Sequence, residues 1–271
     1  MITPDLSSFY EDALACASVK STTTLADTIE EMFGLNRNRV PKPFLHRIFP
    51  EGVQPHITEG WIYGAEETRI YGGYNEHHAV DFAVPTGTPV LAAADGLALA
   101  SFEEVPIRYP GPQARTWQGQ PIFWGFGLFV MILHKNGLVT YYAHLHRLAD
   151  RVQAAYLAPQ VLSPDDVVPP HTVFTKDDFC KNYPAVSVCT GDVIGYSGIT
   201  GMGMGRRTYD NWLAGKPYAV NDEEHVHFAL SPLPAVTADA PYVDPFGIHG
   251  LAEAYPAYSS NWALPRSLWL R

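Results

Sequence analysis

Along the first sixty residues the apolar positions recur at helical spacing, and beyond them the pattern changes to short runs of strand type. Ser8 and Glu11 form a capping box ahead of Tyr10, Ala13, Leu14 and Ala17, which predicts a first helix. Thr24 and Asp27 cap a second, with Leu25, Ile29, Met32 and Phe33 on one face and Gly34 as its stop. The Pro-rich stretch from Val40 to Pro55 reads as a connector. From about Trp61 the runs Pro89-Val-Leu-Ala-Ala, Leu128-Phe-Val-Met-Ile-Leu and Leu138-Val-Thr-Tyr-Tyr are β-rich and broken by Gly and Pro. The dipeptides Asp95-Gly96 and Asn136-Gly137 are turn formers that would join such strands into hairpins.

The fold expected is therefore mainly β with N-terminal helices. Residues 1–60 would be a helical extension and connector, 61–250 an antiparallel β catalytic domain, and 251–271 a C-terminal tail. Two stretches, about 150–188 and 202–224, carry turn residues without sustained periodicity and read as long insertions. Loops of that length inside a compact domain are often functional, so one of them is expected to shape a substrate groove.

Composition narrows the partners. A formal charge of -10 argues against nucleic acid or an anionic membrane, since both require clustered Lys and Arg. No run reaches the roughly 18 apolar residues of a membrane span. The start, Met1-Ile-Thr-Pro-Asp5, lacks the basic and apolar regions of a secretory signal, so the compartment stays open. Of the three cysteines, Cys180 and Cys189 lie close enough in sequence to pair under oxidising conditions, which would leave Cys16 over.

Eleven histidines are present, and only spacing distinguishes them. In His225-Val226-His227-Phe228, a strand would send both imidazoles to one face and the apolar pair to the other. In His77-His78-Ala79-Val80-Asp81, an ideal strand would hold the α-carbons of His77 and Asp81 roughly 13 Å apart. Convergence of that pair therefore requires His77 to curl back from a loop, with His78 pointing away. Tyr142, His144 and His146 share parity on a third strand, which would place His144 in a cleft beside Tyr142.

Taken in order, these pieces resemble the catalytic domain of lysostaphin-type (LytM/LasA-like) zinc endopeptidases. The resemblance rests on His77-x-x-x-Asp81, Phe82-Ala-Val-Pro-Thr-Gly-Thr-Pro-Val, Ala94-Asp-Gly96, Tyr142-Ala-His-Leu145, Gly191-Asp-Val-Ile-Gly195, Gly198-Ile-Thr-Gly201, His225-Val-His-Phe228 and Val243-Asp-Pro245. It covers roughly Tyr71 to Gly250. It implies a duplicated hybrid motif fold and one Zn2+ per chain held by His77, Asp81 and His227. His144 and His225 would then be catalytic without binding metal, His225 as the base and His144 bonding the water or the developing oxyanion, roles that could be exchanged. Two imidazoles and a carboxylate suit a catalytic zinc with an open position for water.

The resemblance further implies a peptidoglycan stem or cross-link as substrate, glycine-rich or D-amino-acid-containing bonds included, and a place in the cell envelope or outside the cell. The N-terminal helices could dock on the groove. The family pattern is departed from at Ala79, where glycine is usual, and at Ala229, where an acidic residue is common. The alternative is a non-hydrolytic member of the same fold that binds wall peptides or activates another hydrolase. Gly191-Asp-Val-Ile-Gly195 also resembles carrier domains, yet no lysine flanked by methionines is present for biotin or lipoyl attachment. A serine hydrolase lacks its Gly-x-Ser-x-Gly elbow.

Overall fold

The computed structural model describes residues 43–60, 77, 79–106, 116–117, 120–121, 123–157, 160–161, 174–175, 177–201, 224–232, 243–248, 252–258, 260–264 and 267–270. Both expected N-terminal helices, His78 and all of the second expected insertion but Glu224 lie outside the described residues.

The strands in chain order are β1 (His56–Glu59), β2 (Val80–Ala83), β3 (Pro89–Leu91), β4 (Gly96–Pro106), β5 (Thr116–Trp117), β6 (Gln120–Pro121), β7 (Phe123–His134), β8 (Leu138–Leu148), β9 (Gln160–Val161), β10 (Val186–Val188), β11 (Val193–Ser197) and β12 (His225–Pro232). One sheet runs β1-β2-β12-β8-β7-β4-β10, with β11 joining β8 to β3 and β9 lying parallel beside β4. Every other pairing in it is antiparallel, so the mainly antiparallel β architecture expected from the pattern is the one observed. The single α-helical turn among the described residues is α1 (Asp150–Gln153).

Alternation along the strands divides the apolar side chains between two faces. Val80, Phe82, Val130, Ile132, Tyr142, Val226, Phe228 and Leu230 point into one core. Leu97, Leu99, Phe129, Met131, Val139, Tyr141, Ala143 and Ala229 point into the other. The first face is covered by Leu45, Ile48 and Phe49 of the connector and by Tyr255, Tyr258, Trp262, Leu268 and Trp269 of the C-terminal segment. Leu45 even forms a parallel bridge to Trp269, and Phe82 stacks on Trp262 with ring centroids 5.6 Å apart. Fully burying each such side chain contributes about 1.5–3 kcal/mol, so connector and tail are part of the core they enclose.

The second face is covered in part by Phe174 and Phe179, both buried and both from the first expected insertion. That insertion thus supplies a layer of core as well as loop. It also carries Cys180 and Cys189, and no disulfide joins them.

The two turn dipeptides behave differently. Asn136-Gly137 closes the β7–β8 hairpin as expected, with Gly137 at φ 82° and Asn136 Oδ1 accepting from the Leu138 amide at 3.1 Å. Asp95-Gly96 closes no hairpin, because β3 pairs with β11 while β4 pairs with β7. Gly96 is needed instead for close approach: a Cβ there would meet Ile132 Cγ2 at 2.4 Å. Asp95 is held by the Thr190 amide and hydroxyl, which both donate to its Oδ1.

Candidate metal centre

The strands β2 and β12 run antiparallel with His227 opposite Asp81 and His225 opposite Ala83. Val226 and Phe228 are anchored in the first core, as their parity predicts, so the side chains between them emerge on the opposite face. There Asp81 Oδ1 lies 3.0 Å from His227 Nδ1. His77, in the segment before β2, does curl back: its Nε2 is 3.3 Å from Asp81 Oδ2 and 3.2 Å from His227 Nδ1. Its other nitrogen, Nδ1, donates to the Gly60 carbonyl at 2.7 Å. A backbone acceptor on the far nitrogen orients the ring and turns Nε2 toward Asp81 and His227, the usual way in which a ligating histidine is oriented.

His77 Nε2 and His227 Nδ1 therefore stand 3.2 Å apart, each 3.0–3.3 Å from a different Asp81 oxygen, and one ligand atom from each of the three residues lies within 4.8 Å of the others. Bonds of about 2.0–2.1 Å in a tetrahedral shell place ligand atoms about 3.3–3.4 Å apart, so a slight spread admits a divalent ion. The bonding of Asp81 points the same way. Its Oδ1 is buried and makes no hydrogen bond, although His227 Nδ1 is at 3.0 Å. Two lone pairs brought so close repel unless a cation or a proton lies between them.

The titration of the cluster reflects that demand. Burial opposes charge on His77, but Asp81, Glu59 and the Gly60 carbonyl raise its pKa to about 9. Burial likewise opposes the Asp81 anion, yet the imidazoles of His77, His225 and His227 hold it well below the usual carboxylate range. His227 moves downward, through burial and the neighbouring imidazoles. The pocket thus stabilises one added positive charge, the role a metal ion fills.

Both other expected histidines converge here. His225 Nε2 is 3.4 Å from Asp81 Oδ2. The His144 ring centroid is 4.8 Å from that of His225 and 5.7 Å from that of His227. The route by which His144 arrives differs from the simple alternation expected. Tyr142 is buried in the opposite core, with its hydroxyl accepting from the Ala93 amide, so the two side chains are not neighbours in a cleft. Leu128 pairs with Leu145 but Val130 pairs with Tyr142, which leaves one extra residue on β8. His144 takes up that bulge with φ 61°, the left-handed region that L residues enter at a cost. The bulge turns its imidazole onto the face of Asp81 and His227.

His144 Nδ1 donates to the Thr200 carbonyl at 2.9 Å, so Nε2 is the bare nitrogen of the neutral ring. Burial, with His225 and His227 nearby, holds its pKa well below 6.5, and the ring is neutral at neutral pH. Three contributors went unassigned by spacing alone. The Gly60 carbonyl carries no side-chain signal. Thr200 lies in the Gly198–Gly201 run without a role of its own. Phe126, whose ring is 5.4 Å from that of His227, had no signal beyond being aromatic.

The antiparallel sheet thus presents a group of three side chains that could hold a metal ion, beside two further imidazoles. Residues 75–156 match the model of peptidase family M23. Over that stretch the chain is similar to the lysostaphin-type metallopeptidases. It is 39% identical over 107 residues to the DD-carboxypeptidase/endopeptidase Mpg of Neisseria meningitidis serogroup B, and equally so to that of Neisseria gonorrhoeae. The match covers 40% of this chain and 16% of the length of those relatives. Among solved structures, a catalytic-domain mutant of the prophage-encoded M23 protein EnpA from Enterococcus faecalis is 18% identical, covering 73% of this chain and 94% of that one, with a TM-score of 0.36. The catalytic domain of lysostaphin from Staphylococcus simulans is 18% identical, covering 70% and 89%, with a TM-score of 0.35. Scores this low transfer no geometry.

Proposed function

We propose that this chain is a zinc-dependent endopeptidase acting on peptide bonds of peptidoglycan stems or cross-links. The observation that carries the reading is the packing of His77 Nε2 and His227 Nδ1 3.2 Å apart, each within 3.3 Å of one of the two Asp81 oxygens, beside two imidazoles outside that triad. These three side chains would hold the zinc. When bound, the ion supplies Lewis acidity toward the scissile carbonyl and makes an attacking water more acidic.

The remaining work falls to the protein. His144 Nε2, bare because Nδ1 is committed to the Thr200 carbonyl, takes the proton from the attacking water. His225, whose Nε2 lies 3.4 Å from Asp81 Oδ2, delivers a proton to the leaving amine. Phe126 forms an apolar wall beside His227, which limits the water around the reacting groups. The likeness to peptidase family M23 and to the Mpg relatives, named DD-carboxypeptidase/endopeptidase, supports the substrate class.

The test is digestion of purified peptidoglycan with product masses, on the chain as isolated, after chelation and after return of zinc. Cleavage at a stem or cross-link amide that vanishes with the chelator and returns with zinc is expected. Stoichiometric zinc without any product would leave a binding protein in place of an enzyme.

A further inference from the structure

At the point where β7 and β8 lose register, two facing residues are bonded through a third. Leu128 and Leu145 are paired, but the Leu128 amide donates to Thr200 Oγ1 at 2.9 Å, and that hydroxyl donates to the Leu145 carbonyl at 2.6 Å. The Thr200 hydroxyl is thus inserted into the ladder as a relay. It satisfies a donor and an acceptor that the bulge separates. One residue before Leu145, the Thr200 carbonyl accepts from His144 Nδ1 at 2.9 Å.

The loop that carries Thr200 has no freedom to drift. Gly127 and Gly201 have φ 59° and 72°, and a Cβ on Gly127 would meet the Thr200 carbonyl carbon and oxygen at 2.1 Å. A Cβ on Gly201 would meet the Gly127 nitrogen at 2.1 Å, and the Gly125 amide donates to the Gly201 carbonyl at 3.0 Å. The same loop begins at Gly198, which forms an antiparallel bridge to His225. This four-residue run therefore meets both histidines outside the ligand triad, the backbone of His225 through Gly198 and the imidazole of His144 through Thr200.

We infer that Thr200 is a positioning residue for His144, its hydroxyl holding the β7–β8 bulge open while its carbonyl fixes the tautomer and heading of the imidazole. The inference rests on the site reading above for its kinetic consequence, but the tautomer can be read without turnover. With the hydroxyl gone, the Leu128 amide and Leu145 carbonyl gain by closing on each other. That closure would expel the extra residue and draw His144 from the Thr200 carbonyl. A displacement near 1 Å at a catalytic group costs on the order of a hundredfold.

The experiment compares Thr200→Val, which keeps shape and carbonyl, with Thr200→Ser, which restores the hydroxyl. In full-length protein with 15N-labelled histidine, the native chain and the Ser variant should show His144 as the Nδ1–H tautomer, and the Val variant a mixture. With zinc content unchanged, kcat should fall about 10- to 100-fold in the Val variant while KM stays within about twofold, and Ser should recover most of it. In a His144→Gln background the Val change should cost little more. An unchanged tautomer in the Val variant, or equal losses in Val and Ser, overturns the inference. If Val does not fold, Thr200→Ala takes its place, and failure of both to fold would make the hydroxyl a general structural bond and overturn it as well. A native chain with the expected tautomer but no turnover would instead count against the peptidase reading.

Discussion

The ladders that deliver the site's side chains are built on different terms. Between β2 and β12 the register runs unbroken from His225 opposite Ala83 to Phe228 opposite Val80. Between β7 and β8 it shifts by one residue beside His144. The regular ladder carries Asp81 and His227, whose relative placement follows from strand geometry alone. The irregular one carries His144, which owes its place to a bulge and to the Gly198–Gly201 loop wedged against it. Two of the proposed zinc ligands thus stand on an unbroken pairing, and the proposed proton-transfer group stands where a hydrogen-bond relay must be kept.

That contrast predicts two distinct failures. Replacing Asp81 by Asn, or His227 by Gln, should abolish zinc binding measured by elemental analysis, and cleavage should fall by on the order of a thousandfold or more because the Lewis acid is gone. The backbone should be undisturbed, since Val226 and Phe228 anchor β12 from the other face. Retention of full zinc by the Asp81→Asn chain would mean that the regular ladder does not hold the ion, and the comparison would collapse at its stronger end.

His144→Gln should do the opposite. Zinc stays at the native level, while kcat falls by about 10²- to 10⁴-fold, the usual worth of a positioned acid or base. Loss of metal together with activity would place His144 among the ligands. Full activity would pass its role to His225, whose Nε2 lies 3.4 Å from Asp81 Oδ2.

How far the sequence discloses this arrangement follows the same division. The shared face of His225 and His227 is a consequence of period two, and the structure has it. The return of His77 is required by distance if Asp81 is its partner, and the structure brings the two side chains to 3.3 Å. Simple alternation misplaced His144 beside Tyr142, because a bulge is a tertiary event: it needs Thr200 from more than fifty residues away and two glycines that let the backbones close. The same reason hides the roles of connector and tail. Trp262 and Trp269 lie in a segment without periodicity, yet they close the first core. The first insertion was legible as a departure from strand pattern but not as the source of Phe179, which is fully buried.

The far end of the β7–β8 hairpin offers the smallest and most local test, because there the register is regular and a histidine is buried for structure alone. His134 faces Gly96 across the β4–β7 ladder, donates from Nδ1 to the Asp95 carbonyl at 2.9 Å, and accepts at Nε2 from the Thr140 hydroxyl at 2.8 Å. Thr140 in turn lies 3.2 Å from the Tyr142 hydroxyl, and Phe44 packs edge-on against the imidazole with ring centroids 5.4 Å apart. Burial lowers the His134 pKa from 6.5 to about 4, against a partial offset from Asp95. Below about pH 6.5 the unfolded chain binds a proton that the folded chain refuses, so stability present above that pH is lost as the pH falls toward 4. The slope is about 1.4 kcal/mol per pH unit, or on the order of 3 kcal/mol across the window. His134→Gln keeps one donor and one acceptor and removes the titration. Urea unfolding between pH 7 and 4.5 should therefore be less steeply pH-dependent in the variant by about one proton. Equal slopes would show that His134 takes its proton in the folded state, and that the regular end of the hairpin is as yielding as the bulged one.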